Sequence, residues 1–366
     1  MKITVEAGPH TRKLCPVSVK VSAEAVKALS DDGKGLVLKP ENGRQIPCAC
    51  RFEGEEAELS FILDWLGENE CAEFELSRGK VCDRMRTVRT ERGLSILSGE
   101  DEITEYYTKT DIPKPYLGHL RERYGTPVTR LDPTTKEHPH HRALWISHGD
   151  VNGVDTWNEP KDTHGFIRVK ELSDLFDSPV WTGFTAHNVW TDHGGKPLCD
   201  EETSFRIYDM PGSLTVIDVD ITLSAAYGEV KLGPTKEAGP LAVRMADELI
   251  VQHTGTMESA EGGINEGEIW MKRSAWVDYW GTTAGRRCGV AVFDNAENEL
   301  FPTYWHARNY GLMAVNNFYR GGARVIPVGE SKNWKFRVIA HSGSTAEAEI
   351  SKRYLDYFAP PKIKAE

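Results

Sequence analysis

The sequence predicts an all-β protein built of large antiparallel sheets, and three observations point to this class. Residues 217–223 and 335–341 alternate between apolar and polar side chains, which is the pattern of a half-buried strand. Residues 289–294 (G-V-A-V-F-D) are almost continuously apolar, as in a strand that is buried on both faces. Glycine and proline recur at short intervals, which is typical of sandwiches with many turns.

Two short helices complete the predicted elements. Ser22 can act as the N-cap of the run A-E-A-V-K-A-L. Near the C-terminus, Ser344 and Glu347 have the spacing of a capping box, and the helix that it starts would carry a face of apolar and aromatic residues. The residues of this face are Ile350, Tyr354, Tyr357 and Phe358.

The distribution of histidine and tryptophan divides the chain into two parts. Residues 1–95 contain one of the 12 histidines and one of the 10 tryptophans. A chain of 366 residues has room for two domains, or for one large β domain with an extension. We therefore predict a small β-sandwich-like N-terminal module over residues 1–95 and a larger β domain over residues 96–366 that carries the functional site.

The composition argues against several classes of partner and cofactor. The formal net charge of −11 disfavours nucleic acid and anionic membranes, which bind basic surfaces, and it is compatible with a small neutral sugar. The chain has neither a run of about 18 apolar residues nor an apolar signal region, so a cytoplasmic protein without a membrane span is expected. The glycine patterns of nucleotide-binding loops are absent, which predicts no nucleotide cofactor. The seven cysteines are irregularly spaced and expected to be reduced, and the oligomeric state stays open.

One segment, residues 137–159 (E-H-P-H-H-R-A-L-W-I-S-H-G-D-V-N-G-V-D-T-W-N-E), concentrates reactive side chains. Four of the 12 histidines lie in it within eleven positions. Pro139 interrupts any strand ladder, and the run that follows it has the composition of a strand. One face of this strand would carry His140, Arg142, Leu144, Ile146 and His148.

Two kinds of chemistry fit this cluster, and the residues alone leave both open. His140 and His141 can move protons near neutral pH, while Arg142 can stabilise a developing oxyanion. Alternatively, His138 and His140 can bind one divalent metal ion together with a carboxylate. The expected substrate contacts in the same segment are Trp145, His148, Asp155 and Trp157.

A second stretch with candidate residues lies near position 306. His306 and Arg308 are two residues apart and would share one face of a strand, where a proton carrier and a cation suit a polyol or a charged intermediate.

Carboxylates supply a further set of candidates. Asp278 would share a strand face with Trp276 and Trp280, an arrangement that suits a sugar because the rings stack while the carboxylate binds hydroxyl groups. Glu266 and Glu268 are candidate bases, and paired carboxylates are what glycoside hydrolysis requires.

Four motifs of this chain resemble the bacterial family known as PmoA-like. In order they are H-P-H-H-R-A-L-W-I-S-H-G-D-V-N-G-V-D-T-W, A-W-V-D-Y-W-G, G-V-A-V-F-D and W-H-A-R-N-Y-G-L-M-A-V-N-N-F, and the resemblance covers residues 105–342. It implies a galactose-mutarotase-like supersandwich, in which two large antiparallel sheets form a sugar groove on the concave face. The name refers to a membrane-bound methane oxygenase subunit, whereas this chain has no apolar span. The chain also departs from true aldose epimerases, because it lacks an N-x-T-x-H segment.

The residues and the resemblance together favour a carbohydrate-active enzyme. It would remove a proton next to a carbonyl of a sugar or keto-glycoside, and elimination or isomerisation would follow. Three histidines would supply the base or hold a metal, two arginines would stabilise the enolate, and His306 or Asp278 would protonate the leaving oxygen. The three histidines are His138, His140 and His141, and the arginines are Arg142 and Arg308.

Two alternatives come from other classes of protein. One is a non-catalytic sugar-binding protein in which the histidines have no chemical role. The other is a glycoside hydrolase that uses Glu266 or Glu268 together with Asp278. Trp280 and Glu268 complete the expected substrate contacts.

Overall fold

The computed structural model describes residues 1–122, 124–131 and 137–366. Within these ranges the chain forms 25 strands and four short helical elements. The helices are α1 (Ala23–Lys27), α2 (Asn265–Ile269) and α3 (Ile350–Phe358), and a 3-10 turn covers Asp247–Leu249. In the described part of the chain, no helix has the length and apolarity that crossing a bilayer requires.

The strands follow one another in antiparallel ladders. The first twelve are β1 (Lys2–Glu6), β2 (Arg12–Ser22), β3 (Leu36–Pro40), β4 (Ile46–Glu53), β5 (Glu56–Leu66), β6 (Cys71–Arg78), β7 (Met85–Arg89), β8 (Gly93–Ser98), β9 (Asp101–Tyr107), β10 (Tyr116–Leu117), β11 (Leu144–His148) and β12 (Phe166–Phe176). The others are β13 (Trp181–Thr191), β14 (Pro197–Tyr208), β15 (Leu214–Ser224), β16 (Val230–Leu232), β17 (Ala238–Arg244), β18 (Thr256–Ser259), β19 (Trp276–Thr283), β20 (Arg286–Asp294), β21 (Trp305–Arg308), β22 (Leu312–Val315), β23 (Arg324–Ile326), β24 (Ser331–Ser342) and β25 (Lys362–Ala365).

The N-terminal part of the chain forms its own sheet. Sheet A has the order β2-β5-β4-β3-β6-β1-β25 among the described strands, so the last strand of the chain returns to its edge. This sheet and helix α1 enclose a separate apolar core. The change to the next sheet falls between Arg78, the end of β6, and Met85, the start of β7.

Two larger sheets form the main body. Sheet B has the order β21-β22-β17-β11-β10-β9-β8-β7, and sheet C has the order β12-β13-β14-β15-β24-β20-β19-β18, counting the described strands. One continuous apolar core contains residues from both sheets. This arrangement confirms the predicted all-β fold of large antiparallel sheets with a small N-terminal β unit and a short C-terminal helix.

The local patterns that predicted strands are confirmed. Residues 217–223 lie in β15, residues 335–341 in β24 and residues 289–294 in β20. Strand β20 is buried over its last seven residues, as its apolar run predicts. All seven cysteines are free, and five of them are buried.

The predicted start of the C-terminal helix needs correction. The Ser344 amide does donate to Glu347 Oε2 at 2.8 Å, but this bond closes a turn that precedes the helix. Helix α3 begins only at Ile350, because Glu349 has a left-handed backbone with a φ of 55°. The aromatic face of α3 packs against an apolar cluster that includes residues of sheet C.

Candidate functional site

The candidate site lies on the outer face of sheet B, which points away from the core between sheets B and C. The register of four adjacent strands places Trp145, Ala242, Ala314 and His306 side by side in one row. Their neighbours along each strand point to the opposite side and belong to the main core. Two small alanines therefore separate an indole from an imidazole on this face.

The next row of the same face brings two arginines together. Arg244 and Arg308 flank Leu312 in the strand register. Both guanidinium groups lie over the ring of Tyr310, at 4.9 Å for Arg244 and 5.4 Å for Arg308. His306 and Arg308 thus share one strand face, as their spacing predicts.

Each of these arginines makes one ion contact with a carboxylate, and Asp247 also acts on Arg244 through its charge. Arg308 Nε lies 2.8 Å from Glu266 Oε1, and Arg244 Nη2 donates to Glu137 Oε2 over a longer distance of 3.3 Å. Arg244 has 0% exposure, and burial lowers the pKa of its guanidinium. A fully buried cation with a single long carboxylate contact is unusual, because an incompletely paired buried charge is costly.

The prediction of a strand over the histidines is wrong in its extent. Strand β11 begins only at Leu144, and the residues before it form a loop, which we call the histidine segment (residues 137–142). His138 and Ala143 both have a positive φ of 46°, so extended backbone ends at these points. His140 and Arg142 consequently do not share a strand face with Leu144, which packs in the main core.

The histidine segment instead builds a column of stacked rings over the sheet. The ring of Tyr310 stacks on His138 at 4.6 Å, His138 on His141 at 5.0 Å, and His141 on Trp145 at 5.0 Å. His140 meets the edges of His138 and His141 at 5.8 and 4.4 Å. Three of the predicted site histidines and Trp145 therefore do converge, and Tyr310 completes this ring column.

The imidazoles of the ring column differ in exposure. His141 is only 3% exposed, and neither of its ring nitrogens has a hydrogen-bond partner among the described residues. His140 is half-buried, and the side chain of His138 is 37% exposed. Solvent and ligands can therefore reach His140, whereas His141 is enclosed.

Burial keeps these histidines neutral. Burial, followed by the charge of Lys114, lowers the pKa of His140 to about 3. Burial also lowers the pKa of His141 well below its ordinary value, with His140 and Arg244 as further causes. The pKa of His138 is lowered mainly by burial as well. Near neutral pH the imidazoles of the cluster are thus uncharged, and their lowered pKa makes them weak bases until a negative charge develops beside them.

A buried ion cluster fixes one side of the histidine segment. Arg142 donates to both carboxylate oxygens of Glu159, at 2.6 and 3.0 Å, and Lys114 Nζ lies 2.7 Å from the same carboxylate. Burial opposes the charge on Glu159, but Lys114 and Arg142 outweigh it and lower its pKa to about 2. Burial lowers the pKa of Lys114 to about 8. Both terminal nitrogens of Arg142 thus donate to Glu159 and are not free to bind an enolate. This corrects the role that was predicted for Arg142.

Arg130 fixes the other side of the segment. Its terminal nitrogens donate to the carbonyl oxygens of Glu137 at 3.0 Å, His138 at 2.5 Å and His141 at 3.4 Å. An irregular segment is held in one shape when its carbonyl groups are bonded in this way.

Trp157 packs against the ring column, and Asp155 positions Trp157. Trp157 is buried and meets the rings of Trp145 at 5.2 Å and His141 at 5.8 Å. The carboxylate of Asp155 accepts the Trp157 amide at 2.7 Å and so shapes the turn that carries this indole. Asp155 positions an aromatic residue, whereas direct substrate contact was predicted for it.

His148 was predicted to contact substrate, and its position contradicts this. It is 2% exposed, its Nε2 lies 2.9 Å from the carbonyl oxygen of Gly233, and its ring packs on Phe318. The register of β11 shifts between Trp145 and Ser147, so strict alternation does not hold along this strand.

The structure does not bring Asp278 to the ring column. Asp278 lies on sheet C with 0% exposure, and it accepts bonds from Thr345 at 2.7 Å and pairs with His341 at 2.9 Å. Val277 and Tyr279 beside it point into the main core, so Asp278 points to the other side of sheet C. Trp280 donates to Glu258 on that same side. The predicted roles of Asp278 and Trp280 at the histidine cluster are therefore corrected.

The two glutamates of helix α2 have separate environments. Glu266 pairs with Arg308 and accepts the Asn309 amide at 2.9 Å. Glu268 is exposed and accepts the Ile264 amide at 2.9 Å. Asp278 is buried and bonded to Thr345 and His341, and a hydrolytic pair of Asp278 with either glutamate stays a prediction.

A metal site would need three or more donor side chains that converge on one point. In the part of the chain that the structure describes, no group of three or more His, Cys, Asp or Glu side chains converges as metal ligands would. His138 is stacked between two rings, and Glu159 is fully engaged by cations. These residues do not fit a metal centre that would need a carboxylate as its third ligand.

Five residues of this site were not predicted from the sequence. They are Lys114, Arg130, Glu159, Arg244 and Tyr310. Arg244 carried a usable signal, because it interrupts the apolar run at residues 238–246 where a buried strand is expected. The other four had no such local signal.

Comparison with known proteins gives a family without an assigned activity. A family model described as a family of unknown function, DUF6807, matches residues 93–355. No match was found among curated proteins. The PmoA-like name does not appear in these comparisons, so that resemblance stays a prediction.

Several solved structures are partly similar to this chain. An alpha-mannosidase from Enterococcus faecalis V583 is 9% identical over 99% of this chain and 45% of its own, with a TM-score of 0.40. The alpha-galactosidase AgaA from Geobacillus stearothermophilus is 11% identical over 71% of this chain and 40% of its own, with a TM-score of 0.34. An alpha-galactosidase from Lactobacillus brevis is 10% identical over 76% and 42%, with a TM-score of 0.38. This chain thus spans less than half of each of these proteins.

Proposed function

The chain belongs to DUF6807, a family of unknown function, and we propose that it is an enzyme that removes a proton next to the carbonyl of a sugar or keto-glycoside. One observation carries the proposal: a half-buried, neutral imidazole, His140, adjoins an aromatic column that is flanked by buried cations. A neutral imidazole accepts a proton, aromatic faces stack on sugar rings, and cations stabilise an enolate.

In the proposed step His140 takes the proton from the carbon next to the carbonyl. The electron pair of the C–H bond forms a C=C bond, and the carbonyl oxygen becomes an enolate. Arg308, which is half-exposed beside Tyr310, stabilises this charge, and the fully buried Arg244 at the same ring adds a positive field at longer range. Because a nearby anion favours the protonated imidazole, the basicity of His140 rises as the enolate forms.

The intermediate has two outcomes, which differ in where the proton returns. In isomerisation of an α-hydroxy ketone, the imidazolium of His140 gives the proton to the former carbonyl carbon. The proton of the neighbouring hydroxyl group passes to the enolate oxygen, so that the carbonyl moves by one carbon. In elimination the C=O bond re-forms, a C=C bond forms between the α and β carbons, the bond from the β carbon to the glycosidic oxygen breaks, and that oxygen takes the proton from His140.

The leaving oxygen does not receive its proton from either residue that was predicted for this role. Asp278 is enclosed on sheet C. Burial, followed by the charge of Arg308, lowers the pKa of His306 to about 3, so this ring is neutral near pH 7 and holds no acidic proton. His306 can donate a hydrogen bond to substrate, and His140 serves as both base and acid.

Deuterium exchange tests this function directly. The purified full chain is incubated in D₂O with aryl keto-glycosides whose carbonyl lies at different ring carbons, and NMR follows the C–H signals next to the carbonyl. We expect one substrate to lose such a signal faster than in buffer alone, and to do so equally after treatment with a chelator. Release of free sugar without exchange would support hydrolysis, and saturable binding without exchange or product would support a sugar-binding protein; either result contradicts the proposal.

The pH profile of kcat/KM should lack the usual histidine limb. The groups that set the charge around His140 are Lys114, His138, Arg142 and Glu159. Because the pKa of free His140 is about 3, its neutral form persists and kcat/KM should change less than about twofold between pH 7.5 and 5. A base with an ordinary pKa of 6.5 would lose about 30-fold over this range.

Folding has to be followed over the same range. Imidazoles whose pKa is lowered in the folded chain bind protons more readily after unfolding, so stability falls as the pH drops from 6.5 toward 3. Tryptophan fluorescence at each pH identifies the conditions under which the chain is folded. A limb near pH 6.5 in folded protein would contradict the assignment of His140 as the base.

A further inference from the structure

Cations are concentrated around the ring column. Five cationic side chains lie at or beside it, namely Lys114, Arg130, Arg142, Arg244 and Arg308. Their carboxylate contacts among the described residues are Glu137, Glu159, Glu266 and Asp247, and Asp155 acts on Lys114 through its charge. Asp247 is 47% exposed and reaches Arg130 only at 3.9 Å. The number of charges is therefore nearly balanced, but they are unevenly distributed among the five cations.

Arg244 is the cation with the least compensation. It has 0% exposure, and its Nε and Nη1 atoms have no hydrogen-bond partner among the described residues. Its carboxylate contact at 3.3 Å is to Glu137, whose side chain is 55% exposed. A buried guanidinium with unused donors is costly in the free protein, and an acceptor from a ligand would remove that cost.

Other buried polar atoms of the site also lack partners. The Nε of Arg142 is a donor without a partner in the described part of the chain, and the Nδ1 of His306, which donates in one tautomer and accepts in the other, is also without one. Neutral hydroxyl groups can accept from the unused donors of Arg244 but add no negative charge beside it. A carboxylate accepts these hydrogen bonds and also adds a negative charge next to the buried guanidinium.

We infer that the ligand of this site is an acidic sugar, whose carboxylate binds between Arg244 and Arg308 at Tyr310. The two guanidinium groups lie over the same ring, so one carboxylate that replaces or borders this ring contacts both. Tyr310 and His138 cover Arg244, and Tyr310 is itself half-buried, so its side chain must turn aside when the acid binds. The inference rests on the proposed function for the location of the site, but it concerns binding and not turnover.

Calorimetric titration of the full chain tests this inference without any reaction. The probes are methyl glucuronide and methyl galacturonide as free acids, each compared with its methyl ester, at pH 7.5 and low salt. The ester keeps every hydroxyl group and removes only the charge. We expect at least one acid to bind about tenfold more tightly than its ester, which is the contribution of a charge-assisted contact. Equal affinity of acid and ester for both sugars would overturn the inference.

Variants of single arginines show which side chain binds the carboxylate of the acidic sugar. Arg244→Gln should reduce the ratio of acid to ester affinity to about one, whereas Arg287→Gln should keep it, because Arg287 is an exposed arginine of β20 with one surface ion pair. If Arg244→Gln does not fold, Arg308→Gln provides the test, since this half-exposed arginine borders the same ring and should lower the ratio several-fold. A full preference for the acid in a folded variant at Arg244, or in the Arg308 variant, would contradict the assignment.

The two proposals can fail separately. A preference for the acid without deuterium exchange in any substrate would retain the acidic ligand and reject the enzyme. Exchange on neutral keto-glycosides with equal binding of acid and ester would retain the enzyme and reject the acidic ligand.

Discussion

Replacing Glu159 by glutamine should lower the free energy of unfolding by about 3–5 kcal/mol, the range for removing one partner of a buried ion pair. The carboxylate of Glu159 compensates two cations whose side chains are 1% and 7% exposed, Lys114 and Arg142. Glutamine has nearly the same shape and keeps one acceptor oxygen, but it leaves both charges uncompensated. The loss is therefore electrostatic and not a matter of packing.

Urea denaturation followed by tryptophan fluorescence at pH 7.5 measures this effect. Glu91→Gln is the matched control, because Glu91 is exposed in the turn between β7 and β8 and its midpoint should not move. A second variant, Lys114→Met combined with Glu159→Gln, removes one of the stranded cations and should recover part of the loss. A Glu159→Gln midpoint equal to that of the control would mean that solvent compensates these cations.

The pH dependence of the unfolding free energy of the unmutated protein provides an independent measure of the stabilisation by Glu159. The pKa of Glu159 is about 2 in the folded chain and below its ordinary value of 4.5. The stabilisation is therefore complete above pH 4.5 and is lost as the pH falls toward 2. Glu159→Gln should remove this part of the acid sensitivity.

The ion cluster also explains how an irregular segment can carry chemistry. Arg142 follows directly on the histidines, and its bonds to Glu159 connect them to the turn that carries Trp157. Arg130 holds the carbonyl groups on the other side. A loop fixed at both ends by buried charges can hold its rings in position as firmly as a strand would.

Local patterns in the sequence predicted the strands well, for a physical reason. The alternation at residues 217–223 reflects a strand with one face in the core, and this depends only on neighbours along the chain. The same argument placed His306 and Arg308 on one face of β21, and the structure confirms it.

The composition of the site could be predicted only in part, because it depends on pairing between distant strands. Trp145 lies beside Ala242, which is almost a hundred positions away, and no local pattern specifies this register. Arg244 and Tyr310 reach the histidines only through that pairing. Asp278 was misassigned for the same reason: its own strand was identified correctly, but the sheet and side on which it lies were not visible in the sequence.

The backbone of the histidine segment could not be predicted either. A positive φ is uncommon for residues such as Ala143, and although histidine adopts it more often, nothing in the local sequence indicates it at His138; the surrounding contacts maintain both. The letters H-R-A-L-W-I-S-H are compatible with a continuous strand, and the tertiary contacts of Arg130 and Arg142 override that preference.

The largest effect on activity is expected from His140→Gln, which should lower kcat by about 10²- to 10⁴-fold, the usual contribution of a general base. Glutamine occupies a similar volume but cannot take up a proton. Because His140 is half-buried and meets its neighbours only by ring edges, the variant should fold normally. The exposed His193, which lies on the β13–β14 hairpin of sheet C, provides the matched control, and His193→Gln should leave kcat unchanged.

His141→Phe separates proton transfer from ring stacking. His141 is 3% exposed and stacks between His138 and Trp145, and phenylalanine keeps this stack while it removes both ring nitrogens. If His140 is the base and His141 only a spacer in the ring column, kcat of His141→Phe should fall less than tenfold. If His141 were the base, this variant would lose about 10²- to 10⁴-fold in kcat. Deuterium exchange rates of the two variants on the same keto-glycoside show which histidine is the base, because exchange reports the proton transfer alone. A large loss in His141→Phe together with retained exchange in His140→Gln would assign the base to the buried ring, and the ring column would then have to open during catalysis.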